Sequence, residues 1–216
     1  MPESTFDRAT VEGRRARKAH IWAKHPDNWY VEEQWCSTRL FETVRFDGEV
    51  HDPCCGMGYI PLAALKAGYH FTASDIEDRT HTHNDWWFTK TRYQDDERMH
   101  DNIVTNPPFD DINKKPWPFI EWALSHVRYR VALLVPFKWL AGDARSRLLE
   151  TKPITRILVL TPRPSMPPGN VLLAMRERGE KPSGGKEDFA WVIFEPISVN
   201  RVVRPEFGWL HRDKDA

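Results

Sequence analysis

Apolar positions along the chain alternate between a helical and an extended period. VEEQWCSTRLFETV carries Val31, Trp35, Leu40, Phe41 and Val44 at roughly the spacing of one helix face. GEVHDP reads as a short strand ending at Pro53, CCGMG as a glycine-punctuated loop, and YIPLAALKAG as a helix. Pro61 falls in that helix's first turn, where a missing N–H costs little, and Gly68 suits the position just past its end. YHFTASDI is the next strand. Glu49 to Ile76 therefore forms a strand–loop–helix–strand unit.

The alternation continues. DNIVTN is a strand, WPFIEWALSHV a helix, ARSRLLET a short helix, and ITRILVLTP and FAWVIFEP strands. YRVALLVPF is a near-continuous apolar run, as expected of a strand covered on both faces. The pattern predicts an α/β fold with a mainly parallel sheet and helices on both faces. Residues 1–27 read as a polar arm and 28–196 as one domain. Within it, 162–188 is a Pro- and Gly-rich excursion. The tail, 197–216, is polar except for Phe207, Trp209 and Leu210.

Composition narrows the class. The 216 residues suit one substantial domain, and 40% hydrophobic with 29% charged residues fits a globular chain. No apolar run approaches bilayer length, and the first residues lack the apolar core of a secretory signal. Three cysteines, Cys36, Cys54 and Cys55, are too few for a disulfide framework and point to the cytoplasm. A formal net charge of zero argues against a generally basic nucleic-acid coat but leaves room for local patches. Arg14/Arg15/Arg17/Lys18, Lys114/Lys115, Arg145/Arg147 and Arg176/Arg178 are such clusters, each first read as a solvated face. Most of the ten tryptophans belong in a core, although one or two would serve base stacking.

The candidate chemistry sits where predicted strands end. In HDPCCGMG an acid, Asp52, closes a strand, and Gly56 and Gly58 let the backbone approach a ligand. Open α/β sheets bind ligands at that edge. The loop lacks a phosphate-cradle pattern, and the acid suits a cationic group better than a pyrophosphate. Asp75 in ASDIE ends the next strand, placed to bridge a ribose diol. In HNDWWF, Asp85 can accept from an exocyclic amine and Trp86 can cover an aromatic ring. His81 and His83 lack further ligands at metal-site spacing, so no metal is assigned.

Asn106-Pro107-Pro108-Phe109 follows a strand. Two prolines fix φ and remove two donors, leaving rigid carbonyl acceptors beside the asparagine amide. Such a row grips an NH₂ group by its hydrogens and aims the nitrogen lone pair outward. Phe109 would stack on the ring carrying that amine.

DPCCGMG, SDIE, NDWW and NPPF, in this order, resemble the motifs of S-adenosylmethionine-dependent amino-group methyltransferases, most nearly the N6-adenine DNA enzymes. WYVEEQW resembles their extra cofactor segment, and the motif order resembles the γ arrangement. The resemblance covers roughly Trp29 to Phe194 and implies a class I, Rossmann-like fold with a seven-stranded type of sheet. It also implies that Tyr30, Asp52, Pro53, Cys54, Gly56 and Gly58 surround the methionine end of the cofactor. Asp75 and Ile76 would meet its ribose side, and Asp85 and Trp86 its adenine. Asn106 and the Pro107 carbonyl would hold the target amine, and Phe109 would stack on the base. Lys114, Lys115, Arg163 and Met166 would contact the substrate, Met166 standing where the family often carries a second aromatic ring. DNA is the implied partner. An RNA base or a protein glutamine amide is the alternative acceptor, and an inactive binding module the alternative class. A separate target-recognition domain is missing from a chain of this length.

Overall fold

The computed structural model describes residues 25–80, 88–108, 116–182, 184–196 and 204–213. Among the described residues, five α-helices and eight strands follow in order: α1 (Gln34–Thr43), β1 (Val50–Asp52), α2 (Tyr59–Lys66), β2 (Phe71–Asp75), β3 (Phe88–Lys90), β4 (His100–Thr105), α3 (Pro116–Ser125), β5 (Val127–Pro136), α4 (Asp143–Leu149), β6 (Ile154–Thr161), α5 (Gly169–Glu177), β7 (Phe189–Phe194) and β8 (Glu206–His211). The strands form one sheet in the order β3-β2-β1-β4-β5-β7-β6-β8. β7 runs antiparallel to both its neighbours, and every other pair is parallel.

β5 shows why the sheet is a middle layer. Val131 to Val135 are at most 1% exposed. Their side chains alternate between two cores, Ala132 and Leu134 on one face, Val131, Leu133 and Val135 on the other. The first core takes Leu40 and Phe41 of α1 and Ile60 of α2. The second takes Phe119 and Ile120 of α3 and Leu149 of α4. Each such aliphatic or aromatic side chain contributes about 1.5–3 kcal/mol on burial. Trp191 of β7 donates its indole N–H to the Cys36 carbonyl at 3.0 Å, tying α1 to the sheet.

α2 ends as its sequence requires. Gly68 has φ +87°, its N–H bonds the Leu65 carbonyl, and the Tyr69 N–H reaches back to Ala64. Those are the two bonds of a glycine-terminated helix end.

The structure departs from the sequence expectations in three places. The sheet has eight strands among the described residues, because the tail supplies β8, paired in parallel with β6. The excursion contains α5, which buries Leu172 and Met175. The segment after HNDWW forms β3 at the sheet edge. Residues 1–24 of the expected arm lie outside the described residues.

Candidate functional site

β1, β2 and β4 run parallel and end side by side on Asp52, Asp75 and Thr105, the last followed by Asn106. The loop after β1 turns beneath them. Gly56 has φ +49° and Gly58 φ +78°, the second in the left-handed region immediately before α2. Over these strand ends opens a cavity of about 290 Å³. Tyr30, Asp52, Pro53, Cys54, Gly56, Asp75, Ile76, Asn106 and Pro108 all line it, brought together from four separate stretches of chain. Gly58 instead sets the start of α2, and Pro107 is buried and not part of the cavity wall.

Both acids are deep. Asp52 is 1% exposed, and burial pushes its carboxyl well above the usual carboxylate range. Its Oδ1 accepts from the Cys54 N–H at 3.1 Å, Oδ2 is buried and makes no well-formed hydrogen bond, and the Thr105 hydroxyl and Cys54 N–H oppose the rise. A cationic ligand group placed beside that oxygen would favour the charged carboxylate and reverse the rise. Burial also raises Asp75, against the opposing pull of the Gly56 N–H and the Arg79 guanidinium. Gly56 donates to its Oδ2 at 2.9 Å and Arg79 to its Oδ1 at 2.7 Å. Arg79 also reaches Asp27 at 2.7 Å and lies over the Trp29 ring, 5.0 Å from its centroid.

Asn106 is held from behind. Its Nδ2 donates to the Tyr30 carbonyl at 3.1 Å and to the Glu32 carboxylate at 3.0 Å. Its Oδ1 is buried and has no partner. Glu32 is itself buried, and desolvation raises its carboxyl, opposed by the bond from Asn106. The amide thus keeps its acceptor in reserve and spends its donors on the protein.

The sequence left Trp29, Glu32 and Arg79 unassigned. Trp29 and Glu32 lie in the WYVEEQW stretch, so the segment was visible but not the roles. Arg79 stands four residues after Asp75, a spacing that was its one local signal. Two of the expected substrate contacts do not line this cavity. Met166, expected at the acceptor wall, is 7% exposed and packs in the core that also takes Leu158 and Leu160. Arg163 is not in the cavity lining and pairs with Asp188 at 2.6 Å on the surface. Asp85, Trp86, Phe109, Lys114 and Lys115 lie outside the described residues.

Among the described residues one group of metal-ligand type converges: His51, Asp96 and His100, all buried. The two imidazoles are stacked, 3.9 Å between centroids and 5° between planes. Two parallel, offset planes do not share a point, so one ion would not lie in both rings as imidazole ligation requires. Both carboxylate oxygens of Asp96 already accept from Arg98, at 2.8 and 2.7 Å. The group fastens the 93–98 segment, which carries the cavity residues Tyr93 and Gln94, beneath β1 and β4.

No protein-family model matches the sequence, and no curated protein matches it. Solved structures do. The M protein of the type I restriction enzyme EcoKI is 12% identical with a TM-score of 0.56, over 86% of this chain and 49% of that one. A modification subunit of a candidate type I restriction enzyme from Vibrio vulnificus YJ016 is 12% identical with a TM-score of 0.53, over 89% and 49%. A candidate RNA methyltransferase from Pyrococcus horikoshii is 14% identical with a TM-score of 0.52, over 72% and 78%. The chain spans about half the length of the two restriction-enzyme subunits. At these identities the likeness establishes the fold, that of the class I, Rossmann-like methyltransferases.

Proposed function

We propose that this chain transfers a methyl group from S-adenosylmethionine to an exocyclic amine of a nucleic-acid base, the N6 of adenine in DNA. The observation that carries the proposal is the state of Asn106. Its donors are consumed by Tyr30 and Glu32, its acceptor is unpartnered, and it lines the same cavity as Asp52, Gly56 and Asp75. An acceptor fixed at that place suits the hydrogens of an NH₂ group.

The cavity also fits the cofactor. The Asp52 Oδ2 suits the cationic methionine end, and the Gly56 backbone admits close approach. Asp75 stands where a ribose diol would be held. When bound, S-adenosylmethionine supplies a methyl group on a positively charged sulfur. Asn106, which lines the cavity, would hold the amine so that its lone pair faces that methyl. The methyl would pass to the amine nitrogen by direct displacement, with one amine proton released to solvent, and the chain's part would be to orient the two reactants. No residue of the chain becomes covalently attached. A base in duplex DNA must leave the stack to reach the cavity, which costs a few kcal/mol.

Two of the similar structures belong to type I restriction enzymes and one is a candidate RNA methyltransferase, which favours a nucleic-acid acceptor. Labelled cofactor offered with DNA, with RNA and with protein tests the assignment. Label in adenine of DNA supports it. Label confined to RNA or to a glutamine amide keeps the chemistry and replaces the substrate. Bound cofactor with no transfer to any acceptor returns the chain to a binding module.

A further inference from the structure

We infer that Glu32 is a positioning residue that, with the Tyr30 carbonyl, fixes the rotation of the Asn106 amide so that oxygen, not nitrogen, meets the acceptor amine. This rests on the amine-methylation reading. An asparagine amide has nearly the same shape in its two orientations but opposite hydrogen-bonding character. With nitrogen outward it would set its own N–H against the hydrogens of the incoming amine and repel them. With oxygen outward it receives one of them.

Behind Asn106 stand two groups that only accept, a backbone carbonyl and a carboxylate, at 3.1 and 3.0 Å from Nδ2. Both amide hydrogens are drawn toward them, and Oδ1 is left buried and unpartnered. The Tyr30 carbonyl belongs to the backbone and would be present with any residue at that position. Glu32 is the half of the pair that the sequence chose.

A structural explanation of Glu32 is thin. The side chain is 7% exposed, and a buried carboxylate is costly unless something compensates it. Among the described residues no lysine, arginine or histidine pairs with Glu32. Its own backbone N–H compensates it in part, and among the described residues its one side-chain partner is Asn106. Packing alone would be served at lower cost by leucine or methionine. The neighbouring backbone is anchored independently: Tyr30 bridges Pro168, and the Val31 N–H bonds the Pro167 carbonyl at 3.0 Å.

The test uses the full chain and two readouts. The first is the side-chain amide spectrum of Asn106 in nitrogen-15-labelled protein, identified by its loss in Asn106→Ala. In Glu32→Gln these signals move upfield, because a neutral oxygen replaces a charged one as acceptor. In Glu32→Ala they move further and their hydrogens exchange at least about tenfold faster, since one acceptor is gone. The second readout is kcat for methyl transfer, expected to fall about tenfold in Glu32→Gln and about a hundredfold in Glu32→Ala. Unmoved Asn106 signals, or wild-type kcat in both variants, overturn the inference. If the wild-type chain methylates no acceptor, the proposed function fails by itself. The amide spectrum needs no acceptor and still decides whether Glu32 sets Asn106. If Glu32→Ala does not fold, Glu32→Gln carries both readouts.

Discussion

The Arg79 guanidinium lies 2.7 Å from the Asp75 carboxylate, on an acid that also fixes the Gly56 N–H. Both side chains of the pair are about nine-tenths buried. Asp75 therefore has two duties, holding the glycine loop and neutralising a buried cation, and under the proposed function a ribose diol would join that network. Removing one partner of a buried pair leaves the other uncompensated, at about 3–5 kcal/mol. Asp75→Ala is predicted to lower unfolding free energy by about that amount and to weaken cofactor binding at least about tenfold. Asp75→Ala with Arg79→Met should recover much of the stability and none of the binding. Urea unfolding and calorimetry read the two separately.

Trp29 links the excursion to the cavity. It lines the cavity, and a methyl group at Gly169 would fall 2.1 Å from its ring. The Gly169 N–H meanwhile bonds the Trp29 carbonyl at 3.0 Å. Gly169→Ala must displace the indole, and overpacking of this kind costs about 1–3 kcal/mol. The prediction is a loss of that order in unfolding free energy together with weakened cofactor binding. An unchanged dissociation constant would show that Trp29 does not shape the cofactor site.

The stacked histidines make stability fall in mild acid. Burial lowers His51 to about 3 and lowers His100 as well. A histidine depressed in the folded state is protonated first in the unfolded chain. Its stabilising effect is complete above pH 6.5 and is lost as pH falls below it. At pH 5 the His51 effect alone amounts to about 2 kcal/mol. Asp96 is depressed too, held by Arg98, so its contribution disappears only further down, below about pH 4. Urea midpoints measured from pH 7.5 to 5 should drop steadily, and His51→Gln should flatten the slope.

The tail belongs to the fold. Leu210 of β8 is 2% exposed in the core with Leu158 and Leu160, while Phe207 and Trp209 are half exposed on the other face. Leu210→Ala is predicted to cost about 2–5 kcal/mol. Trp209→Ser, on the open face, should change stability by about 0.5 kcal/mol or less. Equal effects at the two positions would contradict the pairing of β8 with β6.

The parts of the fold that the sequence displays are those with dense local signals. β5 is legible because burial on both faces leaves no polar position from Val131 to Pro136. Asp52, Asp75 and Asn106 are legible because each closes a predicted strand, Asp52 and Asn106 directly before a proline. β8 is hidden because only one of its faces is covered, so its six residues carry a single fully buried side chain. α5 buries only Gly169, Leu172 and Met175, and the prolines and glycines around it mask that stripe. Met166 stands just past a strand, where a pocket wall was anticipated, yet its thioether chain turns into the core. Glu32 is the hardest case. Beside Glu33 it looks like a solvated helix start, and only the folded chain brings it to Asn106, 74 residues away.

The central claim is that Asn106 holds an acceptor amine opposite a bound S-adenosylmethionine. The most direct measurement is nucleoside analysis of DNA after incubation with the purified chain and cofactor, run beside Asn106→Ala. The account predicts N6-methyladenine from the wild-type chain. It predicts a loss of at least about a thousandfold in the variant while cofactor still binds, because orientation of the amine is gone. Methylation by Asn106→Ala at the wild-type rate, or DNA left unmethylated by a chain saturated with cofactor, would contradict it.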